Sequence, residues 1–142
     1  MKRANSGPRL ETLFNSVEDF HTAFKVTENR TFDLVEFDLA GLRYKLLEEE
    51  NREYLEACAA KDKKAIADAL TDMMYVLIGT MRVHGFEAEL MYKCFAEVHR
   101  SNMSKLDENG KPVYRLDGKI LKSQFYSPPA LQPILTKYES EQ

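Results

Sequence analysis

Apolar residues recur at intervals of three and four through the first three quarters of the chain. Leu10, Leu13, Phe14, Val17, Phe20 and Phe24 make one such set and predict an amphipathic helix over about 10–26. The polar and turn residues of Thr27–Asp33 end it. A second helix is expected from about Asp38 to Ala60, with Asp33 or Asp38 as its cap. Asp62 is a good N-cap for a third, which runs to Gly85, a residue suited to the left-handed position past a helix end. A fourth is expected from about Glu87 to Lys105, and its first-turn acids Glu87 and Glu89 suit the positive end of the helix dipole.

After Leu106 the pattern changes. Asn109-Gly110 and Asp117-Gly118 are tight-turn dipeptides, and Val113–Leu116 between them reads as a short strand. Pro128, Pro129 and Pro133 argue against a long helix, so the tail is expected to be an ordered, irregular arm with one small hairpin, closing on Leu131, Ile134 and Leu135. The expected fold is all-α: a four-helix bundle with an irregular C-terminal arm. One domain is expected over 1–142, with a helical core over about 9–106 and the arm over about 107–142.

Composition agrees with a soluble globular domain. The chain has 142 residues, 44% hydrophobic and 30% charged, long enough to bury a core of its own. Its net charge of −3 lacks the basic excess of a generic nucleic-acid binder, so no nucleic-acid partner is expected. Two cysteines, Cys58 and Cys94, make no disulfide framework and suggest a reducing compartment. The basic start lacks an apolar signal region, and the apolar run Met73–Met81 is far short of the about 20 residues a membrane helix needs. A cytoplasmic protein without a membrane partner is expected.

The informative chemistry lies on the second and third helices. On a helical projection Glu50 and Glu53 fall inside the apolar stripe of Leu42, Leu46 and Ala57, with Glu49 on its edge. Lys45, Glu48, Arg52 and Glu56 lie opposite and read as a solvated face with i, i+4 pairs. Two carboxylates on a core-facing stripe are costly unless paired with a cation. The third helix is apolar nearly all round from Ile66 to Thr80, yet it carries Asp68 and Asp72. Asp72 either pairs with Arg43, Arg82 or Arg100, or it faces Glu50 and Glu53 across a hard divalent cation.

An all-carboxylate set favours Mg²⁺ or Mn²⁺ over softer metals. Zinc is disfavoured, since His21, His84, His99, Cys58 and Cys94 are scattered. A di-iron bundle needs two Glu-x-x-His motifs, and only Glu18–His21 is present. On the fourth helix Met91, Phe95, Val98 and Asn102 share a stripe, which puts Asn102 on the expected core face with Lys105 after it. Lys111, Arg115, Lys119 and Lys122 then form a basic run that suits a polyphosphate or, more plainly, a solvated tail.

Four segments in order resemble the MazG-like all-α nucleoside triphosphate pyrophosphohydrolases, in the phosphoribosyl-ATP-pyrophosphohydrolase-like branch common in phages and bacteria. They are Arg43-x-x-x-Leu47-x-Glu49-Glu50-x-x-Glu53, Asp68-Ala69-Leu70-x-Asp72-x-x-Tyr75-Val76-x-x-Gly79-Thr80, Ser101–Lys105 and Asp117-Gly118-Lys119-x-x-Lys122. The resemblance spans roughly Leu10 to Leu135. It departs from the family pattern at Ala69, where the second acidic motif usually starts with Glu; Asp68 is the substitute acid.

The resemblance implies hydrolysis of a (d)NTP to (d)NMP and pyrophosphate. It implies metal ligation by Glu50, Glu53 and Asp72, with Asp68 as a further ligand and Glu49 as a ligand or the acceptor of the water's proton. Asn102, Lys105, Lys119 and Lys122 would hold phosphates, and Tyr75 is a further substrate contact. The implied cofactor is Mg²⁺, with Mn²⁺ as a substitute. The implied assembly is a homodimer or homotetramer, and the apolar face of Met74, Leu77, Ile78 and Met81 agrees with it. Phage members of the branch include enzymes that act on dGTP or GTP, so a purine (d)NTP is expected, and a phage-encoded member would work in the host cytoplasm. The rival expectation is a non-catalytic helical bundle that binds a nucleotide or a protein.

Overall fold

The structure, a computed structural model, describes residues 9–142. The fold is all-α. Helices α1 (Leu10–Ala23), α2 (Phe37–Ala59), α3 (Lys63–Val83) and α4 (Ala88–Met103) are followed by strands β1 (Val113–Tyr114) and β2 (Ile120–Leu121) and by helix α5 (Leu131–Ser140). The chain forms two compact units, one ending at Ala88 and one spanning Glu89–Gln142.

In the first unit α3 packs on both α1 and α2, the central place its apolar sequence predicts. Phe14 and Val17 of α1, Ala57 of α2, and Ala69, Ile78 and Val83 of α3 are buried. The Asp62 side chain caps α3 by accepting the Ala65 N–H at 3.0 Å. At the other end Gly85 takes φ +78°, and a β-carbon there would lie 2.9 Å from the Asn29 carbonyl oxygen. The Asn29 N–H in turn donates to the Val83 carbonyl at 3.0 Å, so the loop after α1 is tied to the end of α3.

Two details of this unit differ from expectation. Neither Asp33 nor Asp38 caps α2: its N-cap is Glu36, without a side-chain bond, and Asp38 lies inside the first turn. An acid there still suits the helix dipole. On α3, Ile78 turns into the core, while Leu70, Met74, Tyr75 and Leu77 stay exposed.

A buried ion network joins α1, its following loop and α3. Arg82, 4% exposed, donates to Glu28 Oε1 at 2.8 Å and Oε2 at 3.0 Å, and its guanidinium also meets Glu18 and Glu87. His21 Nδ1 lies 2.8 Å from the same Glu28 oxygen. Burial alone would raise the Glu28 carboxyl, but the hydrogen bonds and charges of Arg82 and His21 outweigh it and hold the group below its ordinary value.

In the second unit α4 buries Leu90, Cys94 and Ser101. The stripe expected to face the core, Met91–Phe95–Val98–Asn102, instead leaves Phe95, Val98 and Asn102 exposed. Hydrogen bonds tie down the end of the helix. The Ser104 hydroxyl accepts the Ser127 N–H at 2.8 Å and donates to the Ser101 carbonyl, while the Ser123 hydroxyl donates to the Leu106 carbonyl at 2.7 Å. These bonds lay residues 123–127 along the end of α4.

The expected hairpin forms, with Val113 opposite Leu121 and Tyr114 opposite Ile120. Helix α5 was not anticipated. Pro133 sits in its first turn, third after the N-cap Ala130. A proline is tolerated there because the first N–H groups of a helix have no partner within it. Among the described residues no helix is long and apolar enough to cross a membrane.

Candidate active site

The α2 positions chosen by pattern separate into distinct environments. Ala57 is buried, Leu46 and Glu50 are half-buried, and Glu49 and Glu53 are exposed. The opposite face is solvated as expected, with Arg52 3.8 Å from Glu56 and the Tyr44 hydroxyl donating to Glu48.

Glu50 is the unusual member. Its Oε2 is fully buried and receives no hydrogen bond. A buried acceptor left unpaired costs about 1–3 kcal/mol, and a charged one costs more. Burial, then the negative charges of Glu53, Asp72, Glu49 and Asp68, push the Glu50 carboxyl above its ordinary value. The sequence-predicted acids of α2 and α3 therefore act on one another as a single electrostatic cluster.

Among the described residues no basic side chain pairs with that cluster. The arginines considered as partners for Asp72 are all engaged elsewhere. Arg82 serves Glu28, Arg100 serves Glu97, and Arg43 donates to the Thr80 hydroxyl at 3.1 Å and the Val76 carbonyl at 2.9 Å. Asp68 and Asp72 are exposed and form no ion pair among the described residues.

An orphaned buried carboxylate oxygen facing further carboxylates fits a hard divalent cation, which takes oxygen ligands and cancels their repulsion. The acids do not form a closed cage. Among the described residues no three His, Cys, Asp or Glu side chains are gathered closely enough to hold an ion unaided. Zinc is not served: His21 is committed to Glu28, Cys94 is buried, and Cys58 interacts with the Tyr54 hydroxyl.

Three aromatic rings gather from α1, its C-cap and α3. Phe20 and Phe24 stack with centroids 4.4 Å apart, and Tyr75 meets Phe20 edge-on at 5.7 Å. All three are exposed. Tyr75 follows Asp72 by one turn of α3, so it is a surface aromatic rather than a core one. Sequence periodicity had placed Phe20 and Phe24 on the apolar face of α1 and given no sign of their exposure.

The phosphate-binding candidates lie in the second unit. Lys105 Nζ donates to Asn102 Oδ1 at 2.8 Å, which joins two of them. Lys119 follows the hairpin turn, where its N–H donates to Asp117 Oδ1 at 3.1 Å. The Asp117 carboxylate pairs with Arg115, which takes that arginine out of the free basic run. Lys122 Nζ sits over the Tyr126 ring, 4.4 Å from its centroid.

The acids of α2 and α3 influence one another with no histidine among them, unlike the histidine-bearing metal bundles. The phosphoribosyl-ATP pyrophosphohydrolase family model matches residues 17–102, more than half of the chain and the whole of α2 and α3, and the chain belongs to that family. Membership implies an enzyme of the nucleotide pyrophosphohydrolase type. No curated protein sequence matches the chain.

Proposed function

We propose that the protein hydrolyses a (d)NTP to (d)NMP and pyrophosphate with Mg²⁺, or Mn²⁺ in its place. The observation that carries this reading is the buried, donorless Oε2 of Glu50 in the field of Glu49, Glu53, Asp68 and Asp72. Glu50, Glu53 and Asp72 are the proposed ligands, and Asp68 replaces the usual glutamate of the second acidic motif. A cation bound there supplies neutralisation of phosphate charge and acidifies a coordinated water.

The chain's own groups then divide the work. Glu49, exposed at the rim, accepts the proton of the attacking water. The water oxygen bonds to the α-phosphorus, the bond from that phosphorus to the bridging oxygen breaks, and pyrophosphate leaves with the bridging oxygen. Asn102, Lys105, Lys119 and Lys122 hold phosphate oxygens through charge-assisted bonds.

The exposed rings of Phe20, Phe24 and Tyr75 offer the base a stacking surface. Stacking favours the larger purine ring, and dGTP or GTP is the preferred substrate. The exposed Leu42, Leu70, Met74 and Leu77 of α2 and α3 support assembly as a homodimer or homotetramer. The cytoplasm, where nucleoside triphosphates are abundant, is the proposed place of action.

Pyrophosphate release from a panel of NTPs and dNTPs, with and without Mg²⁺, tests the reading. Metal-dependent release, fastest with a purine, is expected. Nucleotide binding without release under every metal condition would instead make the chain a non-catalytic binding bundle.

A further inference from the structure

Arg43 is 7% exposed, yet no carboxylate is among its hydrogen-bond partners, which are the Thr80 hydroxyl and the Val76 carbonyl of α3. A buried cation without a counter-ion is expensive, and an apolar side chain of similar volume would fill the space without that cost. What the guanidinium provides is directional. Its planar fork fixes two acceptors one turn apart on the neighbouring helix. The Thr80 hydroxyl also donates to the Val76 carbonyl at 2.8 Å, so the three groups form one closed set.

The contact exists because position 79 is glycine. A β-carbon there would lie 2.7 Å from Arg43 Nη2 and 3.0 Å from His21 Nε2. Side chains of α1 and α2 thus converge on one α-carbon of α3. Arg43 precedes Glu50 by two turns of α2, about 10.5 Å along the axis, and Val76 follows Asp72 by one turn of α3. Whatever fixes Arg43 on Val76 and Thr80 fixes the axial register in which Glu50 and Glu53 face Asp68 and Asp72.

We propose that Arg43 is a positioning residue, a register clamp whose hold on Val76 and Thr80 across Gly79 sets the spacing of the acids on α2 against those on α3. It touches neither substrate nor ion. The clamp rests on the hydrolase reading for its purpose, although its geometry stands without it. A slip of one residue would rotate each acid by about 100° and shift it by about 1.5 Å, enough to scatter the cluster. Buried polar groups that specify register at some cost in stability are known from helical assemblies.

The test uses the full chain with Cys58→Ser and Cys94→Ser, and spin labels at the exposed positions Arg52 and Thr71. A narrow inter-label distance distribution is expected for the parent and a broadened or displaced one for Arg43→Gln. Mn²⁺ affinity, read by electron paramagnetic resonance on unlabelled protein, should fall tenfold or more in Arg43→Gln. Gly79→Ala should reproduce both effects, and the double variant should be no worse than the more severe single, as for residues acting through one contact. If Arg43→Gln fails to fold, Thr80→Val, which removes one acceptor and keeps the shape, serves in its place with a smaller shift.

A folded Arg43→Gln protein with the parental distance distribution overturns the clamp. So does unchanged Mn²⁺ affinity when Glu50→Gln has lost the ion, a result that leaves the metal reading intact. If neither the parent nor Glu50→Gln binds Mn²⁺, the hydrolase reading falls, and the label distances alone decide the clamp.

Discussion

Arg82 grips both oxygens of Glu28, at 2.8 and 3.0 Å, and so closes the loop after α1 onto the end of α3. Glu28→Gln keeps one acceptor oxygen but removes the buried counter-charge and the second acceptor, and leaves Arg82 with ionic partners only at Glu18 and Glu87, both half exposed. Breaking a buried pair typically costs about 3–5 kcal/mol. A matching loss of denaturant stability is expected, read from the midpoint of urea unfolding. The pH dependence has a definite sign. The Glu28 carboxyl is held below 4.5, so its stabilisation is complete above that value and disappears as pH falls through the lower folded value. The variant should lack this part of the acid sensitivity.

Glu50 has the opposite sign. Its carboxyl is raised by burial and by its acidic neighbours, so its charged form destabilises the ion-free protein, and protonation relieves this as pH falls through the folded value. Glu50→Gln should therefore raise the Tm of the ion-free protein at neutral pH. Relief of about 1 kcal/mol corresponds to roughly 2–4 °C for a chain of this size. The same variant should lose the Tm increase that Mg²⁺ or Mn²⁺ gives the parent, measured by calorimetry with and without the ion.

Glu53→Gln and Asp72→Asn keep shape and remove one charge each. Both residues are exposed, so the helices should remain folded by circular dichroism while metal-dependent pyrophosphate release is abolished. Loss of activity only through unfolding would mark these acids as structural.

Lys119 forms no ion pair among the described residues, whereas Lys122 rests on Tyr126. Each is expected to contact the triphosphate. Loss of one charge-assisted contact costs about 1.5–3 kcal/mol, or roughly 10- to 150-fold in kcat/KM. Lys119→Ala and Lys122→Ala should show that loss without a shift in the Tm of the ligand-free protein.

Leu42, Leu70, Met74 and Leu77 are each about half exposed on α2 and α3. Light scattering at micromolar concentration should give a dimer or tetramer. Met74→Glu should shift the population towards the monomer.

The helices of the first unit were legible because each carried a period, and α3 carried end signals as well. Asp62 before Lys63 and Gly85 after Val83 bound α3 as the sequence suggested. Glu50 was legible too, since an acid inside an apolar stripe has no ordinary explanation. Its neighbour Glu53, assigned to the same stripe, is exposed, although Ala57 one turn further along that stripe is buried. The face of α4 was not legible. Its period marks one stripe, while the structure buries Leu90, Cys94 and Ser101 on another, and the helix end is tied to a distant segment, Ser123–Ser127, that the sequence does not announce. Helix α5 was hidden by Pro133, a breaker anywhere but in a first turn. The partners of Arg43 were hidden for another reason: a backbone carbonyl such as that of Val76 has no signature in the sequence, and an arginine suggests a carboxylate first.

Three helices bringing side chains to the α-carbon of Gly79 also constrain how this chain can change over generations. A larger residue at 79 displaces Arg43 or His21 from its place, so a single substitution there costs more than one paired with a shorter residue at 43 or 21. Drift at these positions should therefore be correlated. In a library randomised at 21, 43 and 79 together, survivors with a side chain at 79 should be those that have given up the arginine or the histidine.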